Sequence, residues 1–259
     1  MTAHLLIDAG NTRIKWMLVA DVNQADKIEY GTALSHDDTP LTDLSRIAQH
    51  YPALTITASN VAGEKVHKKL SAALRPHAIH FITSAKHCCG VENSYTNPEQ
   101  LGTDRFAALI AARQITTAPA LIVMAGTALT IDALSADGVF LGGVILPGLT
   151  LMRTSLNHQI AQLPLVTTQS NIQQNFARNT EAAIASGTLD ASIGAIIVNA
   201  RRLEAQSKSA ITIIASGGAI HMLAPVLTNQ YQFTIKIVDD LVLLGLQRIA
   251  QSNFSATKQ

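Results

Sequence analysis

Short apolar runs rich in β-type residues recur along the first third of the chain, at positions 5–7, 14–19, 28–34, 54–59 and 79–82. Between them, apolar residues at helical spacing mark 41–51 and 64–74. Strands alternating with helices predict an α/β lobe with a mixed sheet and crossover helices. A loop over 84–98 leads into a helix predicted for about 98–115, opened by Pro98 and carrying Phe106, Leu109 and Ile110 on one side. That helix is expected to bridge two lobes.

The second half restarts the pattern. A strand over 121–124, a turn at Gly126 and Thr127, a strand over 129–134 and a third over 140–145 repeat the three-strand opening of the N-terminus. Helices are predicted over 151–163 and 179–205, followed by a strand over 211–215, a turn at Gly217 and Gly218, a helix over 220–227, a strand over 234–238 and a last helix over 241–250. The two similar openings suggest duplication, with lobes at 1–115 and 116–259 and a cleft between them. A chain of 259 residues, 47% of them hydrophobic, is long enough for two such cores.

Charge and cysteine content remove several classes. The formal net charge is +1, and Lys65, Lys68 and Lys69 at helical spacing read as a solvated helix face, so nucleic acid is not an expected partner. The cysteines are the adjacent Cys88 and Cys89, where a disulfide is disfavoured, and with His87 they lack the spaced pairs of a zinc site. They are read as buried or loop thiols in a reducing, cytoplasmic setting, with no chemistry assigned. The longest apolar run, 139–152, is broken by Gly142, Gly143, Pro147 and Gly148, so no membrane span is expected.

The chain has neither a Walker loop nor Gly-x-Gly-x-x-Gly. It has three small-residue turns at strand ends instead: Asp8 to Thr12, Ala125 to Asp132, and Ser216 to Gly218. In the first, Asp8 can hold a hydrated magnesium ion, the amides of Gly10, Asn11 and Thr12 can point at phosphate oxygens, and Lys15 can neutralise charge. Between the two halves, Asp104 and Arg105 are consecutive on a helix and cannot face each other as a local ion pair. The chemical reading gives Asp104 the proton of a substrate hydroxyl and gives Arg105 a substrate carboxylate in fork geometry.

Five ordered motifs carry a resemblance. Asp-x-Gly-Asn-Thr-x-x-Lys, Tyr-x-x-Pro-x-x-Leu-Gly-x-Asp-Arg, Gly-Thr-Ala-x-Thr-x-Asp, Gly-Gly-x-Ile-x-Pro-Gly and Asn-Thr-x-x-Ala-x-x-Ser-Gly run in sequence over nearly the whole chain, which thereby resembles type III pantothenate kinase. The resemblance implies two actin-like, ribonuclease-H-like lobes, a homodimer, and ATP-dependent phosphorylation of pantothenate as the first step of coenzyme A synthesis. It assigns ATP phosphates and magnesium to Asp8, Ala9, Gly10, Asn11, Thr12, Arg13, Ile14, Lys15 and Thr127. Pantothenate falls to Tyr95, Gly102, Thr103, Arg105 and Thr180, with Asp104 as proton acceptor.

One position departs from the family pattern. Where the family usually has an acid that binds potassium or ammonium, this chain has Met124, a poor ligand for a hard cation. Either backbone carbonyls and Asp132 replace it, or the requirement is lost. Other readings are a different small-molecule kinase of the same fold, a non-enzymatic accessory regulator, and a ligand-binding scaffold.

Overall fold

The computed structural model describes residues 3–23, 27–34, 41–160, 162–166 and 176–256. β1 (Ala3–Ala9), β2 (Arg13–Val19) and β3 (Lys27–Leu34) form an antiparallel meander. β4 (Leu54–Asn60) and β5 (Ile79–Phe81) continue the sheet parallel to β1 on its other side, giving the order β3-β2-β1-β4-β5. β1 has both faces covered, which explains its continuous run Leu5, Leu6, Ile7 in place of an alternating one. One face packs Leu5, Ile7 and Trp16 against Leu44 and Ile47 of α1 (Thr42–His50) and Val66 and Leu70 of α2 (Glu64–Ala73).

Two helices come from distant parts of the sequence to pack with β1 and β4. α3 (Thr103–Ile115) lies against α7 (Leu241–Ala256) so closely that a Cβ on Gly245 would sit 1.9 Å from the carbonyl oxygen of Ala107. Only a glycine permits this approach. The chain accordingly divides into Met1–Ile115 with Asp240–Gln259, and Thr116–Asp239. The last helix, expected in a lobe of 116–259, groups with the first unit, and α3 pairs with it there.

In the second unit, β8 (Ala120–Ala125), β9 (Ala128–Leu134) and β10 (Val139–Pro147) form an antiparallel meander, with β11 (Thr212–Ser216) parallel to β8 and β12 (Ile235–Ile237) parallel to β11. The order β10-β9-β8-β11-β12 repeats, strand for strand and in the same polarity, that of the first unit. Its core packs Leu121, Val123, Leu129 and Ile131 against Leu189, Ile193 and Ile196 of α5 (Thr180–Ser207) and Leu223 and Leu227 of α6 (Ile220–Tyr231). α4 (Leu149–Gln159) follows β10 directly. By length and composition α5 could cross a membrane, the one such helix among the described residues, but its apolar stripe is spent on this core.

Two local expectations are corrected. The segment 84–98 is not all loop, since β6 (His87–Cys88) and β7 (Val91–Asn93) form a small hairpin too short for periodicity to reveal. The helix expected over 98–115 is interrupted: a single 3₁₀ turn, Pro98–Gln100, ends in the extended Leu101 (φ −69°, ψ 127°), and α3 begins at Thr103. The cause is a competing partner, because the buried Ser84 hydroxyl donates to the Leu101 carbonyl at 2.7 Å.

Candidate active site

The break at Leu101 puts Thr103 and Asp104 at the start of α3, where unpaired backbone amides and the helix dipole favour negative charge. Thr103 is tied to β4 by a 2.8 Å hydrogen bond between its hydroxyl and that of the fully buried Ser59. Gly102 leaves room for the next acid, since a Cβ there would fall 2.6 Å from Asp104 Oδ1. That oxygen accepts the Arg105 amide at 2.8 Å. Burial raises the Asp104 carboxyl above the ordinary carboxylate range, partly opposed by the Arg105 amide and guanidinium.

Arg105 is buried rather than solvated, and its Nη1 donates to the Tyr95 hydroxyl at 3.2 Å. The loop that carries Tyr95 is organised by Asn93, a fully buried residue that sequence reasoning passed over. Its Oδ1 accepts the Tyr95 amide at 3.1 Å, and its Nδ2 donates to the Pro98 carbonyl at 3.0 Å. The sequence signal was available, because an asparagine two residues before a turn commonly bonds the backbone in this way.

The first small-residue turn closes through the Gly10 amide, which donates to the Arg13 carbonyl at 3.0 Å. Asn11, Thr12 and Arg13 are exposed, Ala9 and Ile14 are in the core, and Asp8 lies within β1, opposite Lys15 on β2. Lys15 Nζ reaches Asp240 Oδ1 at 3.1 Å, and the same oxygen accepts the Tyr30 hydroxyl at 2.9 Å. Asp240 holds an unusual left-handed backbone (φ 55°) just ahead of α7. Neither Asp240 nor Tyr30 was legible as a site residue, since each is more than 200 positions from its partner or carries no motif.

The electrostatic result is a surplus of negative charge. Burial first, then the charge of Asp104 and that of Asp240, push Asp8 up to about 7, with Lys15 pulling the other way. The structure therefore brings Asp8, Lys15, Tyr95, Gly102, Thr103, Asp104 and Arg105 into the first unit, with Asp240 added. Thr127, Met124, Asp132 and Thr180 belong to the second.

In that unit, Thr127 is exposed in the β8–β9 turn, and its carbonyl accepts the Gly148 amide at 2.9 Å. Met124, half-buried near the end of β8, is in register with Thr130 on β9 and Ser216 on β11, while Asp132 is fully buried two positions further along β9. Thr130 Oγ1 is buried without a hydrogen-bond partner among the described residues. Thr180 opens α5 beside Asn179, whose side chain caps the helix by accepting the Ala182 amide at 2.8 Å, and it lines an apolar groove with Leu151, Leu156 and Ile184.

Comparison with known proteins identifies the family. The family model for type III pantothenate kinase matches residues 4–202. The chain belongs to that family. It is 42% identical over 260 residues to the type III pantothenate kinase of Janthinobacterium sp. (strain Marseille), covering 95% of this chain and 96% of that one. The Herminiimonas arsenicoxydans protein of the same name is 41% identical over 254 residues, with the same coverage. Among solved structures, a Baf family protein from Campylobacter jejuni aligns with a TM-score of 0.60 at 22% identity, covering 97% of this chain and 99% of that one. The activator of 2-hydroxyisocaproyl-CoA dehydratase from Clostridium difficile, with bound ADPNP, aligns at 0.52 and 14% identity, covering 99% and 96%. These likenesses establish the actin-like fold of this pantothenate kinase family member.

Proposed function

We propose that this chain transfers the γ-phosphoryl group of ATP to the primary hydroxyl of pantothenate, giving 4'-phosphopantothenate, the first step of coenzyme A synthesis. The observation that carries the reading is Asp104: a carboxyl raised by burial, at a helix start, next to a buried arginine held by a tyrosine. A base of raised basicity accepts a hydroxyl proton more readily than an ordinary carboxylate. Arg105, with its plane set by Tyr95, supplies the fork for the pantothenate carboxylate, and Thr103 and Gly102 shape the approach. Radiolabelled ATP offered with pantothenate, acetate and a sugar panel tests it: phosphopantothenate as the sole labelled ester is expected. Label on another acceptor would indicate a different kinase, and no label a binding protein.

The first unit fits a divalent ion. Three carboxylates, Asp8, Asp104 and Asp240, act on the same region with Lys15 as counter-charge. No group of three or more metal-ligating side chains occurs among the described residues, so a magnesium ion here would have to arrive on the nucleotide and meet the protein through one or two acids. Asp8 would hold it through water, and the ion would neutralise phosphate charge. Lys15, held by Asp240, which also accepts the Tyr30 hydroxyl, would neutralise phosphate charge as well, while the 8–15 turn would present backbone and hydroxyl donors to the phosphates. A homodimer in the cytoplasm completes the reading.

The second unit does not fit a monovalent cation at Met124. A thioether flanked by the hydroxyls of Thr130 and Ser216, with no carboxylate at its own position, makes a poor oxygen set for a hard ion. The initial rate is therefore expected to vary little with potassium in ammonium-free buffer. Met124→Asp, which adds a carboxylate needing a counter-ion, is expected to make the rate strongly potassium-dependent. A wild-type protein inactive without potassium would show that Asp132 or carbonyl oxygens rebuild the site.

Arg105→Lys keeps the charge and loses the fork. Because a hydrogen bond to a charged group is worth about 1.5–3 kcal/mol, the pantothenate KM should rise roughly tenfold or more while the ATP KM stays near its starting value. Steady-state kinetics with each substrate varied in turn checks this. Equal rises in both would make Arg105 a structural residue of α3.

A further inference from the structure

The segment from Asn93 to Leu101 carries Tyr95 and leads into α3, and most of it is surface: Ser94, Thr96, Asn97, Glu99 and Gln100 are exposed. Asn93 is fully buried, and its backbone and side chain are bonded in both directions. Across the β6–β7 hairpin, its amide donates to the Lys86 carbonyl at 2.8 Å and its carbonyl accepts Lys86 Nζ at 3.0 Å. Its side chain reaches forward, accepting the Tyr95 amide at Oδ1 and donating from Nδ2 to the Pro98 carbonyl. That carbonyl also accepts the Leu101 amide at 3.2 Å, and the Leu101 carbonyl is the one held by Ser84. One side chain thus ties the residue that carries the tyrosine to the residues that decide where α3, and with it Arg105, begins. A backbone N–H can only donate and a carbonyl only accept, so the position asks for one acceptor and one donor on a short stem. Asparagine supplies both, whereas an ionised aspartate lacks the donor and glutamine adds a methylene. At the far end of the link, the Tyr95 hydroxyl accepts Arg105 Nη1 at 3.2 Å and the guanidinium carbon lies 5.9 Å from the centre of the tyrosine ring.

We propose that Asn93 is the positioning residue that gives this site its preference for a carboxylated acceptor: through Tyr95 it sets the plane of the Arg105 guanidinium. The inference rests on the pantothenate reading above and adds to it which residue enforces the choice of acceptor. An arginine attracts a carboxylate by charge from many directions, but two parallel N–H···O bonds require the fork to be aimed. Binding groups perform when held within roughly 0.5 Å of their working geometry by a supporting layer of packed and bonded residues, and Asn93 is that layer for Tyr95. With the tyrosine loosened, Arg105 keeps its charge and loses its aim, and ordering it again is charged against binding. The loss falls on the carboxylate end of the acceptor, and ATP use is spared.

The test compares pantothenate with pantothenol, in which a primary alcohol replaces the carboxylate. ADP release gives kcat/KM for each compound with wild type, Asn93→Ala, Asn93→Asp, Tyr95→Phe and the Asn93→Ala/Tyr95→Phe double variant. The ratio of the two values is the readout, because a smaller folded fraction or weaker ATP use lowers both and cancels. Wild type is expected to favour pantothenate. Asn93→Ala and Tyr95→Phe should each cut the ratio roughly tenfold, chiefly through the pantothenate KM, with little change for pantothenol. The double variant should do no worse than either single one, since the two residues act in one chain of contacts. Asn93→Asp, which keeps the acceptor for the Tyr95 amide, should retain most of the ratio. An unchanged ratio in Tyr95→Phe, equal losses on both compounds in Asn93→Ala, or losses that multiply in the double variant would overturn the proposal and leave the kinase reading standing. A wild type that uses both compounds equally would overturn it as well. A wild type that turns over neither would overturn the kinase reading and this one together, and that failure is visible before any variant is made.

Discussion

Asp104→Asn is expected to lower kcat by about 10² to 10⁴ while leaving pantothenate binding and the melting temperature close to wild type. The amide can still accept the Arg105 N–H through Oδ1, so the start of α3 keeps its shape. What it cannot do is take a proton. Phosphoryl transfer passes through a loose transition state in which positioning and charge neutralisation count for much of the rate, so a loss at the lower end of the range would mark Asp104 as chiefly an orienting group. The pH profile separates the cases. Since burial raises the Asp104 carboxyl, activity that needs its ionised form should fall as pH drops, starting above the range of an ordinary carboxylate. That limb should be absent from the residual activity of the variant. Near-normal turnover with calorimetric binding intact would remove Asp104 from the chemistry.

What the chain discloses in advance follows from how local each feature is. The 8–15 hairpin was legible because strand, turn and strand are contiguous, and the pairing of Asp8 with Lys15 follows once Ala9 pairs with Ile14 across the four residues Gly10 to Arg13. The repeated meander of the second unit was legible for the same reason. The start of α3 was misplaced although Gly102 followed by Thr103 and Asp104 is itself a helix-opening pattern. Pro98 offered an earlier opening, and nothing local announced that Ser84 would take the Leu101 carbonyl. Asp240 was invisible. It meets Lys15 across 225 positions, follows another aspartate, and adopts a left-handed backbone that no neighbouring glycine signals. The close approach of α3 and α7 through Gly245 is likewise a property of two segments that only folding brings together. Local chemistry therefore nominated the candidate residues, and long-range packing decided what surrounds them.

That packing makes a second large effect expected, at Asp8. Its carboxyl titrates near 3.8 when unfolded and at about 7 when folded. Between those values the folded chain binds more protons than the unfolded one, so this residue's contribution to stability falls as pH rises from about 4 to 7 and is flat above. Asp8→Asn removes the titration. Without nucleotide and magnesium, the variant should melt above wild type at pH 8, and the difference should shrink as pH is lowered toward 4. Function should move the other way: losing the acid proposed to meet the nucleotide's metal should reduce kcat/KM for ATP by about 10² or more, on the scale of deleting one preorganised charge-stabilising group. Magnesium with ATP should raise the melting temperature of wild type at pH 8 more than that of Asp8→Asn, since a ligand stabilises in proportion to its affinity for the folded state. Thermal melts at pH 5 and pH 8, with and without magnesium and ATP, read all of this in one set. A variant that melts below wild type at pH 8 and still uses ATP normally would make Asp8 a structural residue of β1, and would move the phosphate site away from the hairpin that opens the chain.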